Sequence, residues 1–484
     1  MTDSQHGVVA SRRSQPTRRA SSDFLQAWAR PEIHRTAQGL TIAAAALLFL
    51  SAAGTVEFAY TIRISYGLLA LACIIGAPWV VRGWKSSPTY PRWAGVALLL
   101  TYSVSALFGR NAVLSGQARA GEYRFALYLL DLALGIALVG LVAGLWPHAR
   151  GIRPLLMALV IGAFLAALYA LYQWPAQHLH WPFADLNNTR DSNGVTTGAS
   201  QGNGIFGWER ARGTFLEPHF LAAYLTTVLP ISTVFLADRV TWRRVFGAAA
   251  SLTIALALFV AMSAAAFVIL CAGGFAGLTV AAVGQGKVRL AGLAGALVLS
   301  VLILGLSIVG GATRIVPAVG RSEGDLRSTT AFRTQTWHRA IEIWTHRPTL
   351  GYGPGQSSVQ LALTEGSQSG RSSSPPTVLR SAQGLWAASL VDAGVIGFAM
   401  WVLFLGLLLA AGIRACLVAP RFARVALIVA AFIGVGGAEV AGDRLELTVW
   451  MMLGLVLAMA SGAPSKSDNP RSRHETQRGT DESP

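Results

Sequence analysis

The run GLTIAAAALLFLSAAGTVEF, residues 39–58, is the first of about twelve apolar stretches. Each is close to the ~20 residues a helix needs to cross the hydrocarbon core of a bilayer. No other feature constrains the chain as strongly. A backbone inside lipid must satisfy its own N–H and C=O groups, so repeated runs of this length fold as transmembrane helices. The runs fall at roughly 39–58, 64–81, 92–108, 125–146, 153–174, 218–237, 245–262, 264–284, 290–312, 385–412, 422–439 and 444–461. Only a residue or two near Met262 separates the seventh from the eighth, which calls for a tight helical hairpin or one broken segment. Composition agrees: 13% of the residues are charged, against about a quarter in a soluble domain. The expected fold is an all-α polytopic membrane protein of about twelve helices.

The net charge of +16 sits in the gaps between apolar runs, which argues against nucleic acid as a partner. It orients the chain instead. With the N-terminus in the cytoplasm, the inside gaps hold about 23 of the 39 Lys and Arg, including Lys85, Lys287 and Lys466. Every short inside loop is then basic, both termini are cytoplasmic, and two long segments, 175–217 and 313–384, lie outside. Residues 1–38 read as a disordered basic tail with no cleavable signal, and 462–484 as a second disordered tail. Spans one to nine occupy 39–312 and spans ten to twelve 385–461. Cys73, Cys271 and Cys416 read as small buried hydrophobes without metal-type spacing.

Two outer stretches carry chemistry. In ARGTFLEPHFLAAYLTTVLP, residues 211–230, Arg212, Glu217 and His219 stand at the mouth of the sixth span, with Arg210 just before them. Pro218 suits the first turn of a helix, whose outward-facing N–H groups favour an anion. A guanidinium beside that end makes a phosphate site, because arginine offers a planar fork of donors. The other stretch, RTQTWHRAIEIWTHRPTLGYGPG, opens at Arg333. It reads as an amphipathic helix over 331–345, ended by Pro348 and three glycines. At about 100° per residue, Arg333 falls in the stripe of Trp337, Ala340, Ile341 and Trp344, which has to pack on the membrane domain.

The RGTF and EPHFLAAYLTTVLP stretch, then R-x-x-x-W-x-x-A-x-x-x-W-x-x-x-P-x-x-G-x-G from Arg333, then LVDAGVIGF at 390–398, resembles the O-antigen ligase and O-antigen polymerase superfamily over about residues 40–460. The resemblance implies a GT-C-like bacterial plasma-membrane glycosyltransferase. Its donor would be a glycan on a polyprenyl pyrophosphate such as undecaprenyl pyrophosphate. Its acceptor would be a glycan or a lipid at the outer membrane face, with no cofactor and no essential metal. It assigns Arg212 and Arg333 to the pyrophosphate and Asp392 to the family's acidic position. The sequence departs from the family at two places. Ala264 and Ala265 stand where many members carry an arginine, and Ser381 and Gln383 where many ligases carry a histidine base. The second departure favours a polymerase over a ligase and leaves Glu217 and His219 as candidate bases. The alternatives are a catalytically degenerate member that binds lipid-linked glycan, and a polytopic transporter or flippase.

Overall fold

The computed structural model describes residues 30–50, 55–57, 61–109, 118–147, 151–186, 210–215, 217–261, 263–284, 323–361, 384–418, 422–441 and 445–461. The ninth expected span, 290–312, and the tails 1–29 and 462–484 lie outside them. The elements are helical apart from one small hairpin. They run α1 (Pro31–Leu47, with a 3-10 turn Leu48–Leu50), β1 (Thr55–Glu57), β2 (Thr61–Arg63), α2 (Ile64–Ile75), α3 (Ala77–Ser86), α4 (Thr89–Gly109), α5 (Ala118–Leu145), α6 (Arg153–Leu179), α7 (Pro218–Val234, with a 3-10 turn Phe235–Ala237), α8 (Thr241–Ala261), α9 (Ala264–Gly284), α10 (Glu323–His346), α11 (Leu385–Val418), α12 (Phe422–Ala441) and α13 (Leu447–Ala460).

Four expected boundaries are corrected. The first helix begins at Pro31, inside the segment read as a tail, because a proline starts a helix at no cost in hydrogen bonds. It ends at Leu50, and the close of the expected run instead forms the antiparallel pair Thr55↔Arg63, Val56↔Ile62, Glu57↔Thr61, rich in β-branched residues. The expected span 64–81 is two helices bent by 76°. Gly76 ends the first, and Pro78, which lacks an N–H, sits in the first turn of the second. The outer helix runs Glu323–His346 rather than 331–345. The tenth span extends to Val418 and is broken at Gly394. The pair near Met262 is two helices with different neighbours: α8 packs on α6 and α7, and α9 on α12. Ser263 starts the second, its Oγ accepting the Ala266 N–H at 3.4 Å.

Among the described residues, seven helices are long and apolar enough to cross a membrane, and the bent α2–α3 pair makes an eighth candidate; shorter apolar helices lie within α9, α12 and α13. The bundle packs α7 on α12, α5 on α3 and α13, α4 on α11, and α6 on α1 and α8. At its axis is α13, buried at every position from Leu447 to Met459, as expected of a helix that is apolar all round. Trp450 of α13 meets Trp401 and Phe404 of α11.

The bundle has two ends. At one, the starts of α6 and α12 and the end of α7 line a cavity of about 600 Å³ with Arg153, Asp238 and Arg424 on its wall. At the other lie the end of α6, the start of α7 and the end of α8.

Candidate functional site at one end of the bundle

Residues 210–215 form a strap across three helices. Arg210 Nε donates to the Ala261 carbonyl at 3.0 Å and the Ala211 N–H to Val260 at 3.3 Å, which ties the strap to the last turn of α8. A cation satisfying terminal carbonyls suits the negative end of a helix. The backbone N–H groups of Arg212 and Gly213 both donate to the side-chain oxygen of Gln173, at 3.0 and 2.7 Å. Gln173 is fully buried within α6. The Thr214 hydroxyl donates to the Phe49 carbonyl after α1. So held, Arg212 is only 3% exposed, an unusual condition for an arginine.

The counter-ion of Arg212 is Asp185, which accepts from Nη2 and is 40% exposed. The sequence pattern did not single it out. Asp185 belongs to a short segment, 181–186, that folds back over the end of α6. His180 in the left-handed region ends the helix (φ 57°). The Tyr172 hydroxyl donates to Pro182, the Tyr169 hydroxyl to Phe183 at 3.0 Å, and the Leu186 N–H returns to Tyr169 at 3.1 Å. The rings of Tyr172 and Trp181 lie 6.0 Å apart, and Trp181 is half exposed. A buried guanidinium thus lies beneath an accessible carboxylate, beside an aromatic surface.

Glu217 and His219 flank the start of α7 as expected. The Glu217 carbonyl accepts the first helical N–H groups, from Phe220 and Leu221. Its carboxylate contacts His219 Nδ1 at 3.0 Å, and the His219 ring lies against Phe220. The two candidate bases are therefore paired with each other.

Trp337 and Asp392 are in a second group, on α10 and α11. Ala340 and Ile343 pack with Leu361, Ala387, Ala388 and Val391, and Trp337 lies at the edge of this cluster. The buried face is Thr336, Ala340 and Ile343, while Ile341, expected in the stripe, is 41% exposed. The stripe is rotated by part of a turn because the small Ala387 and Ala388 of α11 admit Ala340 and Ile343 between them. Arg333 is three residues before Thr336 on the same helix, and its side chain lies outside the described residues.

Asp392 is fully buried, and its two oxygens accept the Gly355 N–H at 2.8 Å and the Ser357 N–H at 2.7 Å. Just beyond it Gly394 breaks α11 (φ 65°, ψ −166°). The turn exposes main-chain groups that hold the exit of α10. Tyr352 N–H donates to Val391 at 2.9 Å, Gly353 N–H to Asp392 at 2.8 Å, and Val395 N–H to Pro348 at 2.8 Å. This geometry makes Asp392 the latch of the 348–357 loop. Among the described residues no group of three His, Cys, Asp or Glu side chains is placed to hold a metal ion.

The described residues define a multi-span helical membrane protein with a buried arginine, Arg212, at one end of the bundle. Residues 249–402 match the O-antigen ligase family, a stretch that takes in the end of α8, all of α9 and α10 and the broken start of α11. Over this stretch, about a third of the chain, the sequence is similar to that family. No curated protein matches the sequence significantly. Trp337, Asp392 and Arg333 fall inside the matched stretch, whereas Asp185, Arg212, Glu217 and His219 precede it.

Proposed function

We propose that the protein is a membrane glycosyltransferase of the polymerase kind. It takes a glycan from a polyprenyl-pyrophosphate donor and transfers it to a glycan or lipid acceptor at the outer face of the bacterial plasma membrane. The family match over 249–402 supports the reading, and the buried Arg212 is its proposed anion site. In the proposed arrangement about twelve spans cross the membrane, both termini are cytoplasmic, and the end bearing Arg212 and α10 faces outward.

The chemistry asks little of a cofactor. An acceptor hydroxyl attacks the anomeric carbon, and the bond to the pyrophosphate oxygen breaks with its electron pair. Negative charge grows on the leaving group, and preplaced cations lower that barrier. Arg212 is fixed by the strap before the donor arrives, so little reorganisation is needed as the bond breaks. Arg333, delivered by α10, is the second proposed cation. The Asp392 latch fixes the loop that follows that helix, and Trp337 seats the helix on α11.

The test is product analysis. The purified protein is reconstituted in vesicles with a polyprenyl-pyrophosphate-linked oligosaccharide, and the glycan is examined for lengthening or for transfer to an acceptor. Longer chains support the reading. Tight donor binding without any product favours the degenerate member that Ala264 and Ala265 suggest. Donor moved unchanged between leaflets favours a flippase.

A further inference from the structure

We propose that Asp185 is the base that takes the proton of the acceptor hydroxyl, released for the task when the donor's pyrophosphate displaces it from Arg212. This deepens the proposed function and rests on it.

The resting state already holds an anion where the donor's anion would bind. Arg212 is buried, and a buried guanidinium is strongly destabilised when it is deprived of a counter-ion. Asp185 is that counter-ion and lies on the solvent side, 40% exposed against 3% for the arginine. A ligand reaching the guanidinium from outside therefore meets the carboxylate first. A pyrophosphate can replace it because it brings more charge and the same planar pairing with the fork of donors. The exchange leaves Asp185 beside a newly arrived anion.

The surroundings supply the acceptor. Asp185 shares its short segment with Trp181, whose half-exposed ring lies beside Tyr172. Such a surface stacks against the apolar face of a sugar ring and sets its hydroxyl near the carboxylate. Glu217 and His219 fit the role less well, because they are engaged with each other at 3.0 Å. In the step itself the acceptor O–H proton passes to the Asp185 carboxylate and the oxygen–anomeric carbon bond forms. The anomeric carbon–oxygen bond to pyrophosphate breaks, and the polyprenyl pyrophosphate leaves with the electron pair. Asp185 then gives its proton to water.

Asp185→Asn is the informative variant, because asparagine keeps an oxygen for Arg212 and removes both the charge and the basicity. Two quantities are measured on the whole protein in detergent or vesicles: binding of a polyprenyl pyrophosphate lacking sugar, and single-turnover transfer from the lipid-linked oligosaccharide. The expected result is a split. D185N binds the pyrophosphate lipid at least as tightly as wild type, because no carboxylate competes. Transfer falls by about 10²–10⁴, the range for a lost general base, and Asp185→Glu restores part of it. A merely structural ion pair predicts the opposite, with binding and transfer falling together. That result, or a D185N protein transferring at the wild-type rate, overturns the inference while leaving the proposed function standing. A wild-type protein that neither binds nor transfers overturns both.

Discussion

At the scale of single residues, the account turns on charges placed where solvent does not reach them freely. Arg212 was singled out from the sequence as an arginine beside a helix start and a proline, and the fold buries it. Asp185 was not. It lies 27 residues earlier in a stretch (FADLNN) with the composition of any polar loop, and only the fold-back over α6 brings it to Arg212. The other end of the bundle gives a test of charge placement. The Asp238 carboxylate accepts the Val240 N–H at 3.1 Å and faces Arg243 at 3.6 Å and Arg153 at 3.9 Å. The Val240 hydrogen bond first, and then the two arginines, hold its carboxyl below the ordinary 3.8 against the upward push of burial. A depressed carboxyl contributes stability that is present above its unfolded value and lost as pH falls through its folded value. Asp238→Asn is therefore expected to lower the thermal unfolding midpoint in detergent near neutral pH. The difference from wild type should close as the pH is taken well below 3.8. A gap that stays constant across that range would contradict the assignment.

At the scale of elements, long apolar periodicity was legible and breaks were not. The span over 218–237 was read to the residue, because Pro218 marks its start and Asp238 its end. The bend at Gly76 and the kink at Gly394 were missed, since apolar length alone does not mark where a helix breaks. What makes Gly394 a hinge is a distant partner, the 348–357 loop, which takes the main-chain groups the hinge frees. Gly353 shows the constraint most sharply. It has φ 109°, and an added Cβ would lie 1.9 Å from the Phe125 ring. Gly353→Ala should destabilise the protein by at least the ~1–3 kcal/mol of a strained backbone position, seen as a lower thermal midpoint. Gly406→Ala, on the same α11 with open space around it, should leave the midpoint unchanged or raise it slightly. Asp392→Asn turns one of two accepted N–H groups toward another donor. It should cost about 1–3 kcal/mol and make the 313–384 segment more readily cut by protease, while Trp337 still packs on α11. Equal cleavage of the variant and wild type would argue against the latch.

At the scale of the whole molecule, charge in the loops divided the chain into two expected faces. The family resemblance was legible because R-x-x-x-W-x-x-A-x-x-x-W-x-x-x-P-x-x-G-x-G lies inside the stretch that matches the O-antigen ligase family. The proposed base, Asp185, was not legible, because partners in a bundle meet through packing rather than through spacing along the chain. The proposed orientation predicts that Gly370→Cys, in a protein whose own cysteines are replaced by serine, reacts with a membrane-impermeant thiol reagent in intact cells. Labelling only after the cytoplasm is opened would reverse the orientation.

The central claim is that Arg212 stabilises the departing pyrophosphate. It is tested most directly by the rate of glycan transfer from a polyprenyl-pyrophosphate-linked oligosaccharide in vesicles. Wild type is compared with Arg212→Lys, which keeps the charge against Asp185 but not the planar fork, after both are shown to unfold at similar temperatures. The account predicts that wild type lengthens the glycan and that the lysine protein does so about 10²–10³ times more slowly, the usual cost of removing one preplaced donor. A folded Arg212→Lys protein that transfers at the wild-type rate would contradict it.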